Sequence, residues 1–161
     1  MLKDHDDIWL RYHCNADLAQ MAAIDAVCSP YPWCEAMLRL ELRQRRAICR
    51  VIDIGNSYIR PILAGFMVYR LKPLEIELER FAIDPDWQRL GLGTRLMARL
   101  QSRLSERSRL RRIVATVPES CLSMSLFLRS QGFRAVGVLR GEFGDEDGIS
   151  FVWSRGDCCG R

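Results

Sequence analysis

The spacing Gln88-x-x-Gly91-x-Gly93, followed by an amphipathic run from Thr94, is suited to holding an anion on the main chain. Neither glycine has a side chain to keep an anion off its amide, and both tolerate positive φ. The amides of Arg89, Leu90, Gly91, Leu92, Gly93 and Thr94 would converge at a helix N-terminus. Unpaired N–H groups and about half a positive charge there stabilise a pyrophosphate without a lysine. An ordinary strand-turn-helix corner uses two glycines in the same way, and on these residues alone that reading stays open. No Gly-Lys-Ser/Thr follows and a third glycine is missing, so neither a Walker loop nor a dinucleotide fingerprint is present.

Proton chemistry has three candidates side by side. Glu75, Glu77 and Glu79 alternate with Ile76 and Leu78, which puts the three carboxylates on one face of a strand leading to the glycine loop. Like-charge crowding and partial burial raise a carboxylate pKa toward neutrality, as a general base requires. The same face would equally serve as a solvated acidic surface or as partners for arginines. Glu119, after Pro118, is a second candidate. Cys121 is a conceivable nucleophile, but His5 and His13 both lie far from it in sequence, so a packed thiol is expected.

These residues need elements to position them. The periodicity predicts a strand at Ile8–Tyr12 and a helix from Asp17 with Leu18, Met21, Ala22 and Asp25 along one side, broken at Ser29-Pro-Tyr-Pro32. A second helix is expected from Trp33 to about Gln44 with Met37 and Leu40 inward. Strands follow at Ala47–Ile54, Arg60–Leu71 and Leu74–Ile83. The helix after the glycine loop sets Leu92, Leu96, Met97, Leu100 and Leu104 against Arg95, Arg99 and Arg103, and is expected to end near Ser108. Arg112–Val117 reads as a strand and Ser120–Gln131 as a helix stopped by Gly132. Closing strands at Ala135–Leu139 and Ile149–Trp153 flank an acidic turn, Glu142–Asp147. Trp9, Trp87 and Trp153 are expected to cover core edges.

The glycine loop after a strand ending Ala82-Ile-Asp-Pro85 resembles the acetyl-CoA-binding signature of the GNAT superfamily of N-acetyltransferases. Phe127-Leu-Arg-Ser-Gln-Gly-Phe133 is similar to that family's second motif. Pro32-Trp33 and the run from Gly132 to Arg140 resemble the branch that acetylates the N-terminal alanine of a small-subunit ribosomal protein. The resemblance implies an α/β (α+β) fold: a central mixed, mostly antiparallel twisted sheet of six to seven strands flanked by about four helices. It implies acetyl-CoA as cofactor, with pyrophosphate on residues 89–94, the thioester carbonyl near the amides of Phe81, Ala82 and Ile83, and further contacts from Gln88, Cys121 and Phe127. Glu77 stands five residues before Ala82, where histone-type members place a catalytic Glu, and Glu119 would lie at the cleft mouth. Tyr31 and Trp33 would line one wall of the acceptor cleft and Glu142–Asp147 the other, as a peptide-holding edge or a plain solvated hairpin tip.

Three positions depart from the ribosomal branch. Its usual Glu, Tyr and Asn are Thr116, Leu128 and Cys121 here. A thiolate with a pKa near ~8.5 leaves without a strong acid, so the missing base matters more. An α-amine near ~8 is neutral in roughly a tenth of molecules at pH 7, against fewer than about one in a thousand for lysine near ~10.4. A weak base therefore favours N-terminal α-amines. The expected function is acetyl transfer to a protein or peptide N-terminus, with a ribosomal protein as one candidate. The alternatives are a small-molecule amine acetyltransferase, or a domain that binds acyl-CoA or a partner without turnover.

Composition fits a single domain over residues 1–155 with a tail at 156–161, since 161 residues with 48% apolar content bury one substantial core. A net charge of +4 does not indicate specific nucleic-acid binding. The arginines at 95, 99, 103, 107, 109, 111 and 112 read as a solvated face, or as an attraction for the 3′-phosphate of CoA or a ribosomal surface. Seven cysteines without a C-x-x-C pair argue for reduced thiols and against a metal site, with Cys158-Cys159 open to oxidation. No run of 18 apolar residues exists and Met1–Asp7 is polar, so a cytoplasmic protein, monomeric or homodimeric and without membrane contact, is expected.

Overall fold

The computed structural model describes residues 7–56, 59–105 and 108–156. His5, Arg107, the Cys158-Cys159 pair and the tail beyond Gly156 lie outside the described residues. Seven strands form one sheet in the order β1-β2-β3-β4-β5-β7-β6, where β1 is Asp7–Tyr12, β2 Ala47–Asn56, β3 Ile59–Leu71, β4 Glu75–Ile83, β5 Arg112–Pro118, β6 Arg134–Phe143 and β7 Glu146–Ser154. Only β4 and β5 run parallel. Their connection passes through helix α3, Leu92–Gln101, as a parallel crossover must. This is the mixed, mostly antiparallel sheet that the resemblance implies.

Each face of the sheet is covered by a pair of helices. On one side α1 (Leu18–Cys28) and α2 (Glu35–Leu42) bury Leu18, Met21, Ile24 and Leu38 against Val51, Phe66, Val68 and Ala82. On the other, α3 and α4 (Leu122–Ser130) bury Leu92, Leu96, Met97, Leu100 and Leu128 against Met67, Tyr69, Ile76 and Leu78. Burying each such side chain contributes about 1.5–3 kcal/mol, so these two layers fix the sheet on which the site is built.

Three sequence expectations are corrected. In α2 the inward residue is Leu38, fully buried, while Met37 and Leu40 are 46% and 60% exposed. The helix starts at Glu35 rather than Trp33, and the face it turns to the sheet is the one that carries Leu38. α3 stops at Gln101 and not near Ser108, because Ser102 closes it with hydrogen bonds to Ala98 and Leu100 and the chain then turns toward β5. Strands β6 and β7 extend to Phe143 and Glu146, leaving only Gly144 and Asp145 as the turn, so most of the acidic segment belongs to strands. Trp87 and Trp153 pack on the core as expected, whereas Trp9 is 39% exposed. Among the described residues no helix is long and apolar enough to cross a membrane.

Candidate active site

A bulge in β4 creates the site. Leu78 faces Tyr69 on β3 and Arg80 faces Val68, which leaves Glu79 with no residue opposite. The extra residue shifts the alternation. Ile76 and Leu78 face α3, but beyond the bulge Phe81 and Ile83 face α3 while Ala82 faces α1. Pairing between β4 and β5 ends at Leu78 with Ala115, just before the bulge. Residues 79–83 and 116–118 then diverge around a cleft of about 680 Å³. Gly65 lets β3 follow the bend, since a Cβ there would lie 2.5 Å from the Ile83 side chain and 2.7 Å from the Ala82 carbonyl.

One end of the cleft is the glycine loop. Arg89 and Gly91 both adopt left-handed backbone, with φ of 64° and 79°. The Gly91 N-cap supplies no side-chain cap to α3. Among the described residues the amides of Arg89 through Thr94 have no hydrogen-bond partner, the first amide donor of this helix being Arg95 to Gly91. Nothing lies within 4 Å of where a Gly91 Cβ would stand, so the amides open on free space. Gln88 braces the loop from beneath by donating to the Ile83 carbonyl at 2.8 Å. Phe127 of α4 stacks on Phe81 at 5.1 Å and closes over Gly93, where a Cβ would approach its ring to 3.2 Å.

The other end is tied shut by a collar of hydrogen bonds. The bulge points Arg80 toward α1, where its guanidinium lies 4.4 Å over the Trp33 ring, donates to the Tyr31 carbonyl at 2.7 Å and to Ser29 Oγ at 3.1 Å, and sits 3.8 Å from Asp25. Asp25 accepts from the Trp33 amide at 2.7 Å. These contacts fix the loop between α1 and α2. From that loop Tyr31 stacks on Phe143 and donates to Glu146 at 2.6 Å, and the other oxygen of Glu146 accepts from the Ser120 amide at 2.6 Å. Burial lowers the pKa of Arg80 and raises that of Asp25. The bonds from Ser120 and Tyr31 hold Glu146 below the ordinary carboxylate value.

The expected residues are distributed unevenly about this cleft. Phe81, Ala82, Ile83, Gln88, Arg89, Gly91, Gly93, Thr94, Cys121 and Phe127 line it. Leu90 and Leu92 turn their side chains to the core and leave only backbone toward the loop. Tyr31 stands in the collar and Trp33 beneath Arg80, both outside the residues that line the cleft itself. Glu77 lies outside the cleft lining, within the stretch where β4 and β5 are still paired, and its carboxylate bonds Lys72 at 3.0 Å. Glu119 is exposed and also outside the lining. Glu79 does line the cleft; burial raises its pKa, one oxygen holds Arg70 at 3.0 Å and the other has no partner. Thr116 lines the cleft, whereas Leu128 is fully buried in the core. Cys28 also lines it, donates to the Ile83 carbonyl at 3.3 Å and is pushed up to about 11 by burial, so it stays a neutral thiol. Sequence reasoning missed Arg80; it put Glu146 on the wall opposite Tyr31 within the Glu142–Asp147 segment, without its bond to Tyr31. Only the alternation break announces Arg80, and a single sequence does not show a bulge.

The acetyltransferase (GNAT) family model matches residues 18–133. The ribosomal-protein-S18-alanine N-acetyltransferase from Escherichia coli superposes with a TM-score of 0.74 at 22% identity, over 92% of this chain and 94% of that one. NAA60 from Arabidopsis thaliana in complex with acetyl-CoA gives 0.75 at 14% identity, over 92% and 98%. The spermidine/spermine N-acetyltransferase SpeG from Vibrio cholerae gives 0.67 at 17% identity, over 91% and 92%. No curated protein sequence matches.

Proposed function

The chain belongs to the acetyltransferase (GNAT) family, and on that premise we propose that the amine it acetylates is the α-amine of a protein or peptide N-terminus, with a ribosomal protein as the leading candidate. The acetyl donor of the family is acetyl-CoA, and the cleft fits it. Unpartnered amides at residues 89–94 suit its pyrophosphate, and the open space at Gly91 admits the phosphates to the main chain. The gap that opens between β4 and β5 beyond Leu78 and Ala115 would take its extended arm. Bound there, the donor supplies an electrophilic carbonyl and a thiolate leaving group with a pKa near ~8.5.

The residues of the chain do the rest. Backbone between Phe81 and Ile83, no longer paired to β5, offers donors to a developing oxyanion. Arg80 and Tyr31 set the width of the acceptor end. Thr116, Cys121 and Ser123 are the small polar side chains on the opposite wall.

The observation that carries the α-amine reading is the state of the carboxylates. Glu79 is held by Arg70 and its other oxygen is sealed from solvent, while Asp25 is engaged by the Trp33 amide beside Arg80. Neither is free to take a proton from an ammonium. An amine that arrives neutral is then favoured, and an α-amine does so far more often than a lysine or an alkyl polyamine. The bond from Tyr31 to Glu146 narrows the acceptor end and favours one second reading, a slender small-molecule amine.

Intact-mass detection of acetyl transfer separates these. An alanine-initiated peptide is expected to be acetylated, and an N-terminally blocked lysine peptide to be at least a hundredfold slower. Faster turnover of spermidine than of any free N-terminus would establish the small-molecule reading instead.

A further inference from the structure

The end of the sheet opposite the cleft gathers cationic side chains that, among the described residues, no carboxylate offsets. β2, β4 and β5 all start there and β3 ends there, as Ala47 facing Arg70, Leu71 facing Ile76 and Glu75 facing Arg112 require. The turn entering β2 carries Arg43, Arg45 and Arg46, and the loop entering β5 carries Arg109 and Arg111; all are exposed. The backbone joins these segments: the Leu71 amide donates to the Arg46 carbonyl at 3.0 Å and the Arg111 amide to that of Leu74 at 2.7 Å. Nearby carboxylates are already engaged, Glu41 by Arg70, Glu75 by Arg112, Glu77 by Lys72 and Glu35 by Arg39. Among the described residues none pairs with Arg43, Arg45, Arg46, Arg109 or Arg111.

Two further features bear on what this pole holds. A pocket of about 160 Å³ between His13, Asn15, Arg39 and Arg43 adjoins it, polar and of a size for one small anionic group. Arg46 adopts φ of 73°, a left-handed conformation that glycine or asparagine fills at lower cost. A long cationic side chain is thus kept where the backbone disfavours it.

We infer that this pole docks the sugar-phosphate backbone of a nucleic acid, without reading its sequence. The two arginine groups flank three strand spacings, about 14 Å, so one small anion cannot engage both and an extended polyanion can. On the β3–β4 turn between them Leu74 is the large exposed apolar side chain, too little for the core of a protein interface. Along β4 the pole at Glu75 lies about 10 Å from Leu78, where the cleft lining begins, and about 16 Å from Arg80 at the acceptor end, so a strand docked across the pole need not enter the cleft.

The test is fluorescence anisotropy of a labelled, mixed-sequence single-stranded RNA of about twenty nucleotides against increasing KCl. If each of the five arginines neutralises a phosphate, log affinity falls against log salt with a slope of about −3.5. R45E/R46E and R109E/R111E are each expected to weaken binding at least tenfold at low salt while retaining peptide acetylation. R46G removes a guanidinium but gives the left-handed site its preferred residue, so it should reduce the slope by about 0.7 without lowering the melting temperature. Absence of binding at about 50 mM salt, or equal affinity in all variants, overturns the inference. Equally tight binding of poly-glutamate would overturn it in favour of an acidic protein partner.

Discussion

Tyr31 Oη and Glu146 Oε2 lie 2.6 Å apart across the acceptor end of the cleft, joining a loop of the α1/α2 layer to the β6–β7 hairpin. The bond is at the surface, where solvent screens such contacts and they add little to stability. Tyr31→Phe should therefore barely move the melting temperature. It should raise kcat/KM for a long acceptor peptide several-fold, with the KM for acetyl-CoA unchanged. Equal or lower activity on both long and short peptides would mean that the hydroxyl contacts the acceptor instead of restraining its entry.

Glu77→Gln tests the carboxylate that spacing alone selects. Its bond to Lys72, away from the cleft lining, predicts a loss of no more than about threefold. The pH profile of kcat/KM should rise through the acceptor's own pKa near ~8 and be unmoved by the substitution. A hundredfold loss with a flattened profile would restore Glu77 as the base.

Gly91→Val places a β-branched residue at φ of 79°, with its side chain in the space before the loop amides. The strain should lower stability by about 1–2 kcal/mol. Affinity for acetyl-CoA by calorimetry should fall at least tenfold, more than the change in stability would suggest. An unchanged affinity would move the anion site away from these amides.

Arg11 bonds Asp17 at 2.8 Å and Asp53 at 2.6 Å, holding β1, β2 and the start of α1 together. The bond from Arg11 lowers the pKa of Asp17 to about 2 from its ordinary 3.8. A depressed carboxylate adds stability above its ordinary pKa, and that stability is lost as pH falls through the folded value. Asp17→Asn should then cost about 1–2 kcal/mol at pH 7, with part of Arg11 still in water, and almost nothing near pH 2. Chemical denaturation of both proteins at the two pH values measures this; a constant difference would assign the effect to packing.

The glycine loop is legible in the residues because its chemistry is local: two glycines, a helix start and free amides all fall within a few positions of one another. The order of helices and strands along the chain and the buried faces of α1 and α3 are legible for the same reason, through periodicity. What stays hidden depends on one residue of register. Glu75, Glu77 and Glu79 do alternate onto one face, yet only Glu79 reaches the cleft, because the strands part immediately after Leu78. Arg80 by simple alternation belongs with Ile76 and Leu78; the bulge puts it under Trp33 instead. In α2 packing against the sheet selects Leu38 over Met37 and Leu40, a choice that three neighbouring apolar residues in the sequence leave open. The collar joins residues more than a hundred positions apart, Tyr31 and Glu146, whose meeting no local pattern announces.

The single unmatched residue in β4 makes the site a matter of chain length as much as of side-chain identity. Excising Glu79 would return the strand to uninterrupted alternation. Arg80 through Ile83 would keep their present partners on β3, and β4 could continue zipping against β5. The binding gap would close, while Arg80 stayed under Trp33 and the α1/α2 and α3/α4 layers kept most of their apolar contacts. A folded but inert protein thus lies one deleted codon away, whereas most single substitutions leave that register, and with it the opening, intact.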